Sequence, residues 1–296
     1  MFKSFVGKYS NLSIALGFFD GVHVAHCDVI SNAVRIAKEN GQKSAVITFE
    51  DHPSKHFGQS IEYISTIENR NKLIYSLGID YIFNLKFDKL LAETSCEKYL
   101  EELVKTFAPI AITTGFNHTF GKSKCGTPSF LDENKTKYNY EYYQIKPRKI
   151  RDDIVSSSQI RKFLKNGNIT NANIFLGRDF TIEGVVIKGQ QLGRTIGFPT
   201  ANILYPQELV KIPFGVYSVN VIINNNEYQG IMNFGVKPTI DSNNRMPLAE
   251  THICNFNQDI YGEKILIKIK KMIRHETRFN SLDELKTQIK KDLELC

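Results

Sequence analysis

Residues 12–41 read LSIALGFFDGVHVAHCDVISNAVRIAKENG. The apolar run Leu12–Phe19 has the length of a buried strand and ends in a glycine-bearing turn. The next segment, Cys27–Lys38, places apolar side chains at helical spacing until Asn40-Gly41 stops it. A strand that passes through a tight turn into a helix is typical of a βαβ unit, so this stretch predicts an α/β fold.

The strand–helix alternation continues through the first half of the chain. Further strands are predicted at Ser44–Phe49, Tyr81–Phe87 and Ile110–Thr114, with helices at Glu68–Leu77 and Cys96–Phe107. Units of this kind build a parallel sheet that takes its ligands at the carboxyl ends of the strands.

The second half contains strands without intervening helices, which indicates a small antiparallel barrel. An Asn224-Asn225-Asn226 turn between the second and third strands is a hairpin signal. The predicted strands are Thr181–Ile187, Val216–Ile223, Glu227–Asn233, Ala249–Phe256 and Lys264–Ile273.

Three helices complete the prediction. Short helices at Ser156–Lys165 and Asn171–Leu176 link the halves, so we place the boundary near residue 175, with domains 1–175 and 176–296. A last helix begins at Ser281, with a capping box to Glu284. We expect it to bury four apolar side chains, those of Leu282, Leu285, Ile289 and Leu293.

Composition restricts the class of protein. The chain has 296 residues, 42% hydrophobic and 23% charged, which suits two globular domains. Its formal charge of +7 favours anionic ligands, but no basic run is long enough for a nucleic-acid arm. The five cysteines are too scattered for a zinc site or a disulfide framework, so we expect them to be reduced. With no signal peptide and no membrane-length apolar run, we expect a cytoplasmic protein that binds neither membrane nor nucleic acid.

The turn after the first predicted strand carries two histidines. His23 and His26 are three residues apart at a helix start, where backbone N–H groups and the macrodipole favour a phosphate. Their imidazoles can stabilise charge that develops during phosphoryl or nucleotidyl transfer. On its own, such a pair is as often an accident of a surface or a core, and no nearby partner indicates a metal site.

Four ordered motifs resemble the bacterial FAD synthetase branch of the nucleotidylyltransferase superfamily, whose domain is Rossmann-like. The segment with His23 and His26 is similar to the HxGH signature of that superfamily. The other three motifs are Phe49-Glu-Asp-His-Pro53, Gly115-Phe-Asn-His-Thr-Phe-Gly121 and Val155-Ser-Ser-Ser-Gln-Ile-Arg161. This resemblance implies adenylylation of FMN by ATP, which yields FAD and pyrophosphate.

The resemblance also implies roles for individual residues. His23 and His26 would stabilise the triphosphate and the α-phosphoryl transition state, and Asn117 would help to hold the nucleotide and the flavin phosphate. The residues expected to bind ATP or its phosphates are Gly17, Phe19, Asp20, Gly21, Ser157, Ser158 and Arg161.

Three positions depart from the family pattern. Ala25 replaces the glycine of HxGH, and its methyl group would crowd ATP if the phosphate approaches the backbone there. If the backbone φ at this position is negative, alanine costs nothing. Ser158 keeps the hydroxyl of the usual threonine, whereas His118 stands where the family often has an aromatic residue.

The second half has a glycine-rich loop followed by Thr200-Ala-Asn202. Alternate residues of an extended strand point to one side, so Thr200 and Asn202 offer a hydroxyl and an amide oxygen together. These are hard ligands that suit Mg²⁺ on ATP phosphates. Arg194 is available for a phosphate, and the absence of a Walker A motif excludes a P-loop kinase.

The stretch Gly193–Asn202 resembles the riboflavin kinase signature G-R-x-[LI]-G-F-P-T-A-N, and similar segments continue to Phe279. By resemblance, Thr200 and Asn202 would hold Mg²⁺-ATP, and Glu250 would be the general base for the ribityl 5′-hydroxyl. The residues expected to bind ATP or flavin here are Gly189, Gly193, Arg194, Gly197, Pro199, Thr200 and Asn202.

The hypothesis is therefore a bifunctional enzyme that uses ATP, riboflavin and FMN, with its oligomeric state undetermined. One alternative is a riboflavin kinase whose other domain is impaired by Ala25. A second is a flavin-binding regulatory module, although such a module has no need of Glu250 as a base. A third is a nucleic-acid-binding protein, for which no aromatic-basic platform is evident.

Overall fold

The computed structural model describes residues 2, 5, 7–189, 191–236 and 247–295. The chain divides into two compact units. The first contains residues 1–61 and 67–156, and the second contains residues 62–66 and 157–296. The Lys237-Pro238-Thr239 end of one kinase-like segment lies outside the described residues.

The first unit alternates strands and helices, as predicted. Its strands are β1 (Ser13–Leu16), β2 (Ser44–Phe49), β3 (Tyr81–Leu85), β4 (Ala111–Gly115), β5 (Glu141–Ile145) and the short pair β6 (Lys149–Ile150) and β7 (Asp153–Ile154). Its helices are α1 (Val24–Glu39), α2 (Pro53–His56), α3 (Ile67–Ser76), α4 (Lys89–Ala92), α5 (Cys96–Phe107) and α6 (Pro128–Tyr138), with a 3₁₀ turn at Lys122–Lys124.

The main sheet of this unit is parallel, in the order β3-β2-β1-β4-β5. Alternate residues of β1 enter separate cores: Ile14 and Leu16 pack with α5, whereas Ala15 packs with α1. Strands β2 and β3 lie on one side of β1, and β4 and β5 lie on the other, so the strand order reverses beside β1. The topological switch point of the sheet is therefore at the carboxyl end of β1. The parallel α/β prediction is confirmed, although α6 and β5 were not predicted.

Around the first turn, the end of the first strand and the start of the first helix differ from the sequence prediction. The first strand ends at Leu16 instead of Phe19, because residues 17–22 form a turn. Helix α1 begins at Val24 instead of Cys27, because the His23 side chain caps it by accepting the backbone N–H of His26. A histidine cap gives little sequence signal, since Ser, Thr, Asp and Asn are the usual caps.

The second unit contains the predicted linking helices and a curled antiparallel sheet. Its strands are β8 (Phe180–Val185), β9 (Thr200–Leu204), β10 (Gly215–Ile223), β11 (Asn226–Val236), β12 (Pro247–Ile253) and β13 (Lys264–His275). Its helices are α7 (Ser157–Lys165), α8 (Ile169–Leu176), α9 (Leu192–Thr195) and α10 (Leu282–Leu293).

This sheet has the order β8-β13-β10-β11-β12-β9, and its two edges approach each other. The backbone N–H of Ile187 donates to the carbonyl of Asn202 at 2.8 Å. A Cβ added to Gly184 would lie 3.1 Å from Cβ of Ile203, so glycine permits this close approach. The predicted barrel is confirmed as a six-stranded sheet curled toward closure.

The hairpin and the last helix follow the predicted chemistry, with one correction. Asn224 and Asn225 have φ values of 49° and 65°, the left-handed backbone that a tight hairpin requires. Ser281 caps α10 by accepting the N–H of Glu284. The burial prediction for α10 is wrong at Leu282, which is 52% exposed because the first turn of the helix lies at the surface, and Leu285, Ile289 and Leu293 are only half-buried. No helix among the described residues is long and apolar enough to span a bilayer.

Candidate active sites

The turn after β1 in the first unit is strained. Phe19, Gly21 and Val22 all have positive φ, and the value of 39° at Val22 is unusual for a β-branched residue. The Phe19 ring folds back onto Gly17, where an added Cβ would lie 2.7 Å from the ring. Phe19 and Val22 are both 2% exposed, so packing holds the turn in place. Backbone strain that packing enforces in this way is typical of functional sites.

The turn delivers the two predicted histidines to the start of α1. The backbone N–H of His26 donates to Nδ1 of His23 at 3.3 Å. The two rings stack with centroids 3.5 Å apart and an angle of 16° between their planes. Because Nδ1 of His23 accepts, Nε2 is the ring nitrogen that carries hydrogen. The structure thus brings both imidazoles together at a helix N-terminus, where a phosphate is favoured.

Neighbouring positions in this segment were also predicted. Asp20 is 3% exposed, and it lies within the same turn as Gly17 and Gly21. Ala25 lies within α1 and does not have a positive φ. The backbone at this position therefore accepts alanine without strain. The methyl group of Ala25 can affect the reaction only by contact with a bound nucleotide.

Arg70 on α3 was missed by the sequence analysis. Its side chain is 2% exposed and donates to the carbonyl of Phe18 at 3.3 Å, to that of Phe49 at 2.7 Å and to Oδ1 of Asn84 at 3.0 Å. Phe18 lies just after β1, Phe49 is the last residue of β2, and Asn84 lies in β3. The guanidinium thus joins the carboxyl ends of three strands beside the histidine turn. A lone arginine on a polar helix gave no signal of this role.

The loop after β4 carries Asn117 and His118. Asn117 is exposed, whereas His118 is half-buried and stacks on Phe120 with centroids 5.9 Å apart. Burial lowers the pKa of His118 from 6.5 to about 4. The imidazole is therefore neutral near pH 7 and serves this loop as an aromatic ring.

Ser157, Ser158 and Arg161 lie on α7, in the second unit. Nε of Arg161 donates to the carbonyl of Glu62 at 2.8 Å, which orients the guanidinium. A cavity of about 370 Å³ beside this helix is lined by Ser158, Arg161, Lys162, Lys165 and Asn166. Three cations line this small cavity, one of which, Lys165, also pairs with Glu62, and the remaining positive charge makes the cavity suitable for an anion.

A larger cavity, of about 670 Å³, opens on one face of the curled sheet. Thr200 and Asn202 on β9 line it, as do Glu250 and His252 on β12. The strands pair in register, with Asn202 opposite Glu250 and Thr200 opposite His252. The four side chains therefore share one face, as alternation along a strand requires. This volume lies within the usual range of about 300–1,000 Å³ for small-molecule sites.

Asn202 is the most buried of these four residues. It is 4% exposed, and a Cβ added to Gly189 would lie 2.7 Å from its Nδ2. The absence of a side chain at Gly189 thus makes room for the amide. Oδ1 of Asn202 is buried and has no hydrogen-bond partner among the described residues. Since buried oxygens normally have partners, this atom is suited to a ligand or a metal ion.

The remaining predicted positions shape the loop above β9. The backbone N–H of Phe198 donates to the carbonyl of Gly193 at 2.8 Å, and a Cβ at Gly193 would lie 2.3 Å from the Phe198 carbonyl oxygen. Gly197 has a φ of 87°. The Pro199 carbonyl lies 2.9 Å from Nδ1 of His252, so His252 donates and holds the start of β9. Arg194 on α9 is exposed.

The far wall of the cavity depends on an ion pair that the sequence analysis did not identify. Arg274 donates to both carboxylate oxygens of Asp292, from Nε to Oδ1 at 3.1 Å and from Nη2 to Oδ2 at 2.8 Å, and Asp292 is 1% exposed. Nε2 of Gln288 also donates to Asp292 at 2.8 Å. This bidentate pair fastens α10 to β13 and so fixes the wall formed by Leu285 and Ile289.

Comparisons with known proteins match a different family to each half of the chain. Residues 7–159 match the family described as FAD synthetase, and residues 176–296 match the family described as riboflavin kinase. A relative from Bacillus subtilis, named a bifunctional riboflavin kinase/FMN adenylyltransferase, is 38% identical over 287 residues, covering 94% of this chain and 89% of its own. A relative of the same name from Buchnera aphidicola subsp. Schizaphis graminum is 37% identical, covering 97% and 93%.

One solved structure has the same fold along nearly the whole chain. It is described as a macrolide-efflux protein from Streptococcus pneumoniae, with a TM-score of 0.90, 29% identity and coverage of 99% of this chain and 96% of its own. That likeness concerns the fold. With two family matches in sequence order and relatives above 30% identity over most of their length, the chain belongs to the bifunctional riboflavin kinase/FMN adenylyltransferase family.

Proposed function

We propose that this protein phosphorylates riboflavin to FMN on the curled sheet of the second unit and adenylylates FMN to FAD at the histidine turn of the first. The observation that carries the proposal is the register of β9 and β12, which sets the buried oxygen of Asn202 opposite Glu250. A carboxylate and an oxygen ligand on one face of a cavity are what a kinase needs to activate a hydroxyl beside a metal-bound triphosphate.

In the kinase step, Glu250 accepts the proton of the ribityl 5′-hydroxyl. The hydroxyl oxygen forms a bond to the γ-phosphorus while the bond from that phosphorus to the β-phosphate oxygen breaks, so FMN and ADP result. General-base catalysis contributes about 10²–10⁴-fold, and positioning contributes much of the remainder. Arg194 contacts phosphate, and Gly189, Gly193, Gly197 and Pro199 shape the loop that lies against the nucleotide.

The oxygens of Thr200 and Asn202 fit Mg²⁺. Both are hard donors on one strand face, and Oδ1 of Asn202 is a buried acceptor without a partner among the described residues. When bound, Mg²⁺ would neutralise phosphate charge during transfer. Thr200 and Asn202 would hold it, and the ladder to β12 keeps these two residues beside Glu250.

In the adenylylation step, an FMN phosphate oxygen attacks the α-phosphorus of ATP, and pyrophosphate leaves. His23 and His26 donate to the triphosphate, with the strained turn of Gly17, Phe19, Asp20 and Gly21 packed around them. Asn117 helps to hold the nucleotide and the flavin phosphate.

The phosphate-binding role of Ser157, Ser158 and Arg161 rests on their motif and on the cationic lining of the nearby cavity. The contact-based units divide after Ser156, and the two family matches leave residues 160–175 between them. We keep residue 175 as the proposed limit of the adenylylation domain. On this proposal, α7 and α8 belong functionally to the residues before them.

A product time course tests the proposal. We incubate the full chain with riboflavin, ATP and Mg²⁺, and separate riboflavin, FMN and FAD at intervals. FMN should rise first and FAD later, with one pyrophosphate for each FAD. FMN accumulation without FAD would support the alternative of a kinase with an impaired adenylylation domain. Flavin binding without either product would support the regulatory module.

A further inference from the structure

Two cysteines far apart in sequence meet beside the loop that follows β4. Cys96 is the first residue of α5, and Cys125 follows the 3₁₀ turn Lys122–Lys124, 29 residues later. The backbone N–H of Cys96 donates to Sγ of Cys125 at 3.1 Å. Cys96 is 2% exposed, whereas Cys125 is exposed.

Local backbone structure holds the two cysteines at this distance. A Cβ added to Gly121 would lie 2.8 Å from the nitrogen of Cys96 and 3.1 Å from Sγ of Cys125, so Gly121 lies against both. The N–H of Lys122 donates to the carbonyl of Thr94 at 2.7 Å. Phe120 and Gly126 exchange backbone hydrogen bonds of 3.0 and 2.9 Å, which close the segment on itself. Cys125 is thereby fixed at the start of α5.

We propose that Cys96 and Cys125 form a reversible disulfide on mild oxidation, at a modification site whose thiols neither proposed flavin reaction uses. The bridge would fasten the segment 120–126 to α5. Because Sγ of Cys125 already lies 3.1 Å from the backbone nitrogen of Cys96, we expect rotation of the exposed Cys125 side chain to bring the two sulfurs together. Sequence spacing gives no sign of the pair.

The two thiols have different surroundings, and we therefore expect them to have different roles in the oxidation. Burial raises the pKa of the Cys96 thiol to about 12, and hydrogen bonds to the Cys125 sulfur and the Glu97 carboxylate raise it as well. Cys96 therefore stays protonated and out of reach of solvent. Cys125, which is exposed, is therefore the thiol that an oxidant reaches first, and Cys96, whose raised pKa makes it a slow nucleophile, resolves the sulfenic acid in a slower second step.

With hydrogen peroxide as the oxidant, the reaction balances in two steps. The Cys125 sulfur attacks one peroxide oxygen, the O–O bond breaks, and a sulfenic acid and one water form. The Cys96 sulfur then attacks the Cys125 sulfur, the S–O bond breaks, and the leaving hydroxide takes the Cys96 proton as a second water. Two thiols and one peroxide become one disulfide and two waters, and excess dithiothreitol reverses the change.

The test treats the full chain with hydrogen peroxide, blocks the remaining thiols and maps peptides without reduction. We expect one linked peptide, which joins Cys96 to Cys125, and a rise in the unfolding midpoint of the first unit by about 5 °C that dithiothreitol abolishes. Cys125→Ser alters an exposed side chain and should lose both effects. Cys27→Ser and Cys254→Ser are the matched controls and should retain both.

A second variant tests the order of the steps. In Cys96→Ser, the Cys125 sulfenic acid has no resolving partner and should accumulate, where a dimedone label detects it. The proposal is overturned if oxidised protein keeps Cys96 and Cys125 as free thiols, if linkage occurs through other cysteines, or if oxidised wild type and Cys125→Ser unfold at the same temperature.

Discussion

Asn202 and Glu250 occupy opposite positions of the antiparallel ladder between β9 and β12, with Asn233 of β11 on the other side of Glu250. Directly opposed residues have Cβ atoms about 4.5–5.5 Å apart. The register therefore fixes the spacing between the proposed metal-binding oxygen of Asn202 and the proposed proton acceptor Glu250. This relationship makes the effects of substituting the two residues separable.

Replacement of the carboxylate by an amide should abolish one reaction only. Glu250→Gln keeps the shape of the side chain but cannot accept the ribityl proton, so FMN formation should fall by about 10²–10⁴-fold. FAD formation from supplied FMN should be unchanged. Glu227→Gln is a control, because Glu227 is a surface carboxylate of the same sheet that pairs with Lys268. Equal loss of both reactions in Glu250→Gln would indicate a folding defect.

Loss of the buried amide oxygen should change the response to magnesium. Asn202→Ala removes a proposed ligand, so the Mg²⁺ concentration for half-maximal FMN formation should rise by at least about tenfold. Thr200→Ser keeps the hydroxyl and should behave as wild type, whereas Thr200→Val should resemble Asn202→Ala. An unchanged Mg²⁺ requirement in both Asn202→Ala and Thr200→Val would place the ion elsewhere.

Substitution of His26 should impair FAD formation and spare FMN formation, the reverse of the effect expected for Glu250→Gln. His26→Ala removes a donor to the triphosphate, and loss of one such donor typically costs about 10²–10³ in rate. Conversion of FMN to FAD should fall by this factor while phosphorylation of riboflavin continues. His56→Ala, which alters an exposed histidine of the same unit, should leave both rates unchanged.

The Ala25 position distinguishes the bifunctional hypothesis from the impaired-domain alternative. Because Ala25 lies in α1 without a positive φ, Ala25→Gly should destabilise the protein by about 0.5–1 kcal/mol. We expect the rate of FAD formation to stay within about twofold of wild type. A large increase in that rate would show that the alanine methyl group crowds ATP.

Much of both sites was predictable, because local sequence encodes their local structure. The hairpin at Asn224-Asn225, the alternation of Thr200 and Asn202 and the cap at Ser281 all depend on near neighbours in the chain. The role of Glu250 came only from the family resemblance, and its position opposite Asn202 was not predicted, since strand pairing is a long-range property.

The missed features arise from contacts between distant residues. Arg70 reaches carbonyls that lie 52 and 21 residues away, and Arg274 pairs with an aspartate 18 residues later. Neither contact follows from periodicity. The positive φ of Val22 is likewise imposed by packing, because its own β-branched side chain opposes it. Leu282 follows the apolar pattern of α10 but lies before the helix reaches the core.

The half-buried ring of His118 predicts a pH dependence of stability. Its pKa is lowered by burial from 6.5 to about 4, so the unfolded chain binds a proton that the folded chain does not between these two values. Stability should therefore fall as the pH falls from about 6.5 to about 4, by up to about 1.4 kcal/mol per pH unit from this group. Below the folded pKa both states are protonated, and this contribution stops changing.

Two variants isolate that contribution, measured as the free energy of unfolding in urea across this pH range. His118→Phe supplies an aromatic ring that cannot titrate, as the family often has at this position, and should flatten the acid side of the stability curve. His118→Gln cannot titrate either, so it should flatten the curve equally even if it is less stable at pH 7. Parallel losses in wild type and both variants would assign the acid sensitivity to other groups, because a neutral His118 in the folded state is the only source of the predicted difference.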